Sequence, residues 1–144
     1  MARSQNGYSA NDRSKVASYS IPGGKIAVRK GDVATILTYI ANRFHREVEP
    51  LKWPGNWGYA ERKIRGSSTS LSNHASGTAI DLNAPQHPLG RRGTFSSKQV
   101  AAIRRILKER EVPRESLSIS AYWARGRAED QFQAEKREPI GQID

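Results

Sequence analysis

The sequence predicts an α+β domain in which a small antiparallel sheet packs against two main helices. Two segments show the apolar spacing of amphipathic helices, and three or four others have the alternation of short strands. A length of 144 residues suits one domain with one core, and a hydrophobic fraction of 36% predicts that this core is modest. We expect the domain to span 24–136, with a flexible polar arm at 1–23 and a frayed tail at 137–144.

The arm is polar and rich in Ser, Asn and Gly, and it ends in IPGG. The segment KIAVRKGD follows, with Ile26 and Val28 on one side, and predicts a short strand.

The first helix is predicted from Asp32, as its N-cap, to about Val48. Its apolar residues recur three and four positions apart, which marks one buried face. They are Val33, Ile36, Leu37, Ile40, Ala41, Phe44 and Val48. Pro50 and Pro54 then predict a loop.

A second helix is predicted from an unusually complete start signal. Ser96 is the N-cap, Gln99 completes a capping box, and Phe95 can pack onto Val100 as a hydrophobic staple. We expect this helix to end near Glu111.

Three further segments carry strand signals. Residues 57–66 predict a strand that leads into a Ser-rich loop, and 77–84 alternates with Ile80 and Leu82 towards a core. On the other side of 77–84, Asp81 would face a polar cleft. The segment SLSISAYW alternates in the same way and predicts a strand ending near Trp123.

Composition narrows the function classes. The absence of cysteine excludes disulfides and thiolate metal sites, so any metal must be held by histidine and carboxylate groups. The net charge of +10 implies a polyanionic partner, either nucleic acid or an anionic bacterial cell wall. The basic residues are spread from Arg3 to Arg137, and neither a helix-turn-helix nor an RNA-binding aromatic signature is visible, so nucleic acid is disfavoured.

Two absences shape the expected location. No segment has the length and apolarity of a membrane span, and the N-terminal residues lack the apolar core of a signal peptide. We therefore expect a protein that is made in the cytoplasm, is not inserted in a membrane, and reaches any site outside the cytoplasm without a signal peptide.

The segment SLSNHASGTAIDL places His74 and Asp81 seven residues apart. Seven residues span about 10 Å along a helix and about 23 Å along a strand. Neither spacing lets both side chains bind one ion, whose ligand atoms lie only roughly 2 Å from it. A shared metal site therefore requires a loop, a tight turn and a strand, and Gly77 makes the turn possible.

The same segment resembles a known family. SNHASGTAID is similar to the S-x-H-x-x-G-x-A-x-D signature of the zinc D-alanyl-D-alanine carboxypeptidases, a family that includes phage L-alanyl-D-glutamate endolysins. The fixed positions are Ser72, His74, Gly77, Ala79 and Asp81. The resemblance extends over roughly 25–111 and implies the hedgehog/D-Ala-D-Ala peptidase fold.

This resemblance implies a function and a set of site residues. His74 and Asp81 would be zinc ligands, Ser72 would lie in the substrate-binding site, and Arg65 or Arg62 would bind a substrate carboxylate. The expected function is a monomeric peptidoglycan-peptide hydrolase, encoded by a phage or prophage, that cleaves D-Ala-D-Ala or L-Ala-D-Glu bonds in the stem peptide at the cell wall.

The chain departs from the family pattern near its C-terminus. The family has a third ligand histidine three residues after an acid that serves as general base, whereas this chain has no histidine after His87. The best local match is DQFQ, with Asp130 as the acid and Gln133 at the histidine position. Gln133, His87 or water could complete the site. A second hypothesis is therefore a catalytically impaired member that binds cell wall or serves as a structural or partner-binding protein.

Overall fold

The computed structural model describes residues 2–63, 70–109, 111–113, 118–124 and 129–136. Two helices occur in these ranges, α1 (Asp32–Glu47) and α2 (Ser97–Lys108). The strands in chain order are β1 (Arg3–Ser4), β2 (Val16–Ile21), β3 (Gly24–Arg29), β4 (Ser70–Leu71), β5 (Ala79–Asp81), β6 (Glu111–Pro113), β7 (Ser118–Ala124) and β8 (Gln131–Lys136). The α+β class with two helices and small antiparallel sheets is confirmed.

Three small sheets organise the strands. The largest has the order β5-β8-β7-β6 and is antiparallel throughout. β2 and β3 form an antiparallel hairpin, and β1 pairs with β4 in parallel. In the largest sheet β8 lies between β5 and β7, so the last described strand is central to it.

The core lies between α1 and the sheets. The apolar face of α1 is buried as its spacing predicts, and Phe44 is fully buried there. The rings of Phe95 and Phe132 each meet Phe44 edge-on at 6.0 Å between centroids, a favourable geometry for aromatic pairs. Phe132 belongs to β8, so this cluster fastens the central strand to α1.

The helices begin and end close to the positions that the sequence predicts. Ser96 accepts a hydrogen bond from the Gln99 backbone, and the Gln99 side chain accepts one from Ser96, so the predicted capping box of α2 is confirmed. The helix ends before Glu109, slightly earlier than predicted. In α1 the N-cap is Gly31 rather than Asp32, which is instead the first helical residue.

The N-terminal segment differs from the predicted flexible arm. Residues 2–23 contain β1 and β2, and they place Tyr8, Ala10 and Ile21 among the buried side chains. Asn6 links the segment to the centre of the domain, since its side chain donates to Thr78 Oγ1 and to the Ala134 carbonyl.

The predicted strands are found in part. β3 and β7 lie where the alternation indicates, and β5 is shorter than its predicted segment. The strand predicted at 57–66 is not formed over 57–63, where the backbone makes a single bridge between Trp57 and Asp81. Residues 64–66 and the tail at 137–144 lie outside the described ranges. No helix among the described residues is long and apolar enough to cross a membrane.

The packing of β8 yields a stability prediction. Phe132 is 1% exposed, so Phe132→Ala should lower the free energy of unfolding by about 3–5 kcal/mol through lost burial and a residual cavity. Leu89→Ala is the control, because Leu89 is 76% exposed and should change stability by less than about 0.5 kcal/mol. Urea unfolding measures both variants, and equal small losses would contradict the central position of β8.

Candidate functional site

The chain reverses between His74 and Asp81. Residues Asn73–Ser76 form one turn of 3₁₀ helix, Gly77 adopts the left-handed conformation with φ of 73°, and β5 then carries Asp81 back. As a result His74 Nε2 lies 3.3 Å from Asp81 Oδ2. The loop, tight turn and strand that a shared site requires are present.

Two residues fix this reversal. A Cβ atom on Gly77 would lie 2.8 Å from the Arg29 backbone nitrogen, so both the left-handed conformation and the close approach require glycine. Ser72 caps the turn because its Oγ accepts the backbone N–H of His74 at 3.2 Å. Ser72 therefore holds the histidine backbone, and it also lines the adjoining cavity.

The imidazole of His74 has a defined tautomer. Its Nδ1 lies 2.8 Å from the Gly58 carbonyl oxygen, which can only accept, so Nδ1 carries the proton. In the neutral ring the lone pair is then on Nε2, the atom that faces Asp81. Gly58 lies so close to β3 that a Cβ atom there would be 2.1 Å from the Ala27 carbonyl, so glycine is required here as well.

A series of side-chain amides reaches the same nitrogen. The Gln131 Nε2 group donates to His74 Nε2 at 2.8 Å, and Gln133 Nε2 donates to Gln131 Oε1 at 3.1 Å. Asn73 Nδ2 donates to Gln133 Oε1, and the Asn6 backbone N–H donates to Asn73 Oδ1 at 3.0 Å. We call this series the amide relay: Asn6 N–H, Asn73, Gln133, Gln131 and His74.

The hydrogen bonds of the amide relay can be donated in only one direction along the series. At one end the Asn6 backbone N–H can only donate, and at the other the Gly58 carbonyl can only accept. Each amide between them must accept from one neighbour and donate to the next. Gln131 therefore presents an N–H group, and not its carbonyl oxygen, to His74 Nε2.

His74 Nε2 and Asp81 Oδ2 have the separation of two ligand atoms on one tetrahedral metal ion. Two acceptor atoms 3.3 Å apart repel each other unless a proton or a metal cation lies between them. Ligand atoms about 2.0–2.2 Å from a tetrahedral zinc ion lie roughly 3.4 Å from one another, which is close to the observed separation. Within the described ranges, no cluster of three His, Cys, Asp or Glu side chains supplies a third such ligand.

Asp130 contributes a buried carboxyl group beside this pair. It is 0% exposed, and neither carboxylate oxygen has a hydrogen-bond partner within the described part of the chain. Burial raises the pKa of Asp130 to about 8, and the neighbouring Asp81 carboxylate adds to the rise. The group can thus exchange a proton near neutral pH.

These groups line one cavity of about 530 Å³. Its polar wall includes Ser72, His74, Asp81, Asp130 and Gln131. Four of the five predicted site residues therefore lie together.

Arg62 also lines the cavity and is an exposed residue. Arg65, the fifth predicted site residue, lies outside the described residues. Arg62 is therefore the arginine, among the described residues, that is placed to bind a substrate carboxylate at the cavity wall.

The ring nitrogens of the other two histidines have other partners, although His87 lines the same cavity. His87 lies 2.8 Å from Glu49 Oε2 through Nε2 and 2.7 Å from Thr94 Oγ1 through Nδ1, so both of its ring nitrogens have partners away from Asp81. His45 Nδ1 accepts the backbone N–H of Leu51 at the end of α1. Neither contact directs a ring nitrogen at the His74–Asp81 pair.

Strand register identifies two site neighbours that sequence reasoning did not single out. Asp81 pairs with Gln131 on β8 and exchanges two backbone hydrogen bonds with Trp57 on its other side. Residues directly opposite in antiparallel pairs share a sheet face, so these three side chains form a row. The Trp57 side chain is 50% exposed beside Asp81. The only sequence signal for Gln131 was its position next to Asp130.

Asp130 yields a pH prediction. Its pKa is about 8 in the folded chain and near 4 when unfolded, so the folded state binds the extra proton between these values. Its stabilising contribution is complete below pH 4 and is lost as pH rises to 8, by about 1.4 kcal/mol for each pH unit. Relative to wild type, Asp130→Asn should flatten the fall in unfolding free energy between pH 5 and 8.

Urea unfolding with a metal chelator present measures this difference. Parallel pH profiles for wild type and Asp130→Asn would show that the carboxyl group ionises normally.

No protein-family model, curated protein or solved structure matches the chain.

Proposed function

We propose that the chain is a peptidoglycan-peptide hydrolase with the hedgehog/D-Ala-D-Ala peptidase fold, and that His74, Asp81 and Asp130 form its centre. The substrate would be the stem peptide of the bacterial cell wall, cut at a D-Ala-D-Ala or L-Ala-D-Glu bond. The resemblance to phage endolysins supports a phage or prophage origin and a monomer that acts at the wall.

One observation carries this proposal. His74 Nε2 and Asp81 Oδ2 lie 3.3 Å apart as two acceptors at the wall of a cavity that also reaches Asp130. This arrangement combines a position for a divalent cation with a carboxyl group able to exchange protons, and metallopeptidases need both. The net charge of +10 supports attraction to an anionic wall.

The chain's own residues have separate roles in this chemistry. His74 and Asp81 would hold zinc, which when bound polarises the scissile carbonyl and acidifies water. In its ionised form Asp130 would accept a proton from the attacking water, and it would then return one to the leaving amine. Arg62 binds a carboxylate of the stem peptide and so sets the position of the scissile bond. Ser72 holds the His74 backbone in place.

A second function is favoured by a different observation. The described residues give the His74–Asp81 pair no third ligand of the usual types, and Gln131 directs an N–H group at His74. A member with such a site would bind stem peptides without cleaving them. The cavity, Arg62 and the exposed Trp57 would still serve this role.

Hydrolysis of a synthetic stem peptide tests the first function. With zinc added, mass spectrometry should detect a new amine and a new carboxylate product, and His74→Ala should remove at least about 99% of the rate by deleting a ligand. His45→Ala is the control, because His45 accepts the backbone N–H of Leu51 and does not line the cavity. Stem-peptide binding without product in wild type would favour the second function.

Arg62 yields a separate prediction. Arg62→Ala should weaken binding of a stem peptide with a free carboxylate by about tenfold or more, since a charge-assisted hydrogen bond contributes about 1.5–3 kcal/mol. Arg91→Ala, an exposed charge-matched control, should have little effect. Calorimetry with the peptide and its amidated form measures this, and equal losses for both forms would exclude carboxylate recognition by Arg62.

A further inference from the structure

The His74 Nε2 atom has a single in-plane lone pair. In the structure that lone pair accepts the Gln131 N–H group at 2.8 Å, while Asp81 Oδ2 lies 3.3 Å away. A metal ion at this histidine would need the same lone pair. The Gln131 N–H group and an ion therefore exclude each other.

We propose that Gln131 competes with the metal ion for His74, and that the amide relay holds Gln131 in its competing orientation. The proposal rests on the proposed function, since it concerns the cation that the His74–Asp81 pair would hold. It assigns Gln131 as a positioning residue that sets the metal affinity of the site. The glutamine that controls metal affinity is then Gln131, and not Gln133, which stands at the position of the family's third ligand histidine.

The relay explains why Gln131 cannot simply reverse its amide. Turning the amide by half a turn would direct Oε1 at His74, but it would also bring the Gln131 N–H groups against the Gln133 N–H groups. Gln133 and then Asn73 would have to turn too, because each amide must accept from one neighbour. Asn73 would finally present N–H groups to the Asn6 backbone N–H, which cannot accept.

Burial makes such a mismatch costly. Asn73 is 3% exposed, His74 is 5% exposed and Gln133 is 8% exposed, so water has little access to the unpaired groups. Asn6, which ends the relay, is also held by its side-chain bonds to Thr78 and Ala134. The N-terminal segment thereby fixes the polarity of a site sixty-eight residues further along the chain, at His74.

Zinc affinity of two Gln131 variants tests the proposal. Gln131→Ala removes the competing donor and should bind zinc about three- to tenfold more tightly than wild type, as expected for one hydrogen bond that no longer has to be broken. Gln131→Glu replaces the N–H group by a carboxylate oxygen and should bind more tightly still. Gln86→Ala, an exposed control, should match wild type. Competition with a chromophoric chelator measures the four affinities.

Nitrogen NMR of the metal-free protein supplies a second readout. His74 should carry its proton on Nδ1, with Nε2 as a hydrogen-bond acceptor, and this pattern does not depend on zinc. A proton on Nε2 would overturn the relay.

The zinc results separate the remaining outcomes. Equal or weaker binding by Gln131→Ala would overturn the proposal, because Gln131 would then be a ligand or a bystander. Failure of all four proteins to bind zinc would overturn it together with the proposed zinc centre. The predicted affinity order without any peptide hydrolysis would leave this inference standing and would refute only the proposed hydrolase.

Discussion

The hydrogen bond from His74 Nδ1 to the Gly58 carbonyl is the contact on which the rest of the site depends. It places the ring proton on Nδ1 and leaves Nε2 as an acceptor that faces Asp81. Gly58 can offer its carbonyl because it packs directly on Ala27 of β3, where no side chain fits. The site therefore depends on a close backbone approach that joins the hairpin, the segment after α1 and the His74 turn.

The two neighbouring carboxyl groups of the site have different environments. Asp81 is partly exposed at the cavity, and its Oδ2 lies against His74, whereas Asp130 is fully buried. Asp81 Oδ1 and both oxygens of Asp130 lack hydrogen-bond partners among the described residues. Two acids that differ in this way can divide the work of holding a cation and moving a proton. The amide relay adds a third influence, because it directs a donor at the atom that a cation would use. Cation binding and the relay oppose each other at His74 Nε2.

Local signals in the sequence predicted the helices and the His74 turn, but they could not predict strand pairing. The capping box of Ser96 and Gln99 acts within one turn, so its residues are sufficient to identify it. The chain reversal at Gly77 was predictable because one metal ion can contact both His74 and Asp81 only if the chain turns back between them.

The pairing of Asp81 with Gln131 joins residues fifty apart, and its register depends on packing such as that of Phe132. Extrapolation of a family motif therefore selected Gln133, which contacts Gln131 and Asn73. Of the N-terminal hairpin only β2 was missed, because it lies in a segment rich in Ser, Asn and Gly, although Pro22 and Gly23 carried a turn signal.

The central claim is that His74 and Asp81 form a cation site at the wall of the cavity. Crystals soaked in zinc and measured on both sides of the zinc absorption edge test it most directly. We expect an anomalous peak within about 2.3 Å of both His74 Nε2 and an Asp81 carboxylate oxygen, with the Gln131 side chain moved away from the histidine. Zinc peaks at other surface positions only, with the Gln131–His74 hydrogen bond intact, would contradict it.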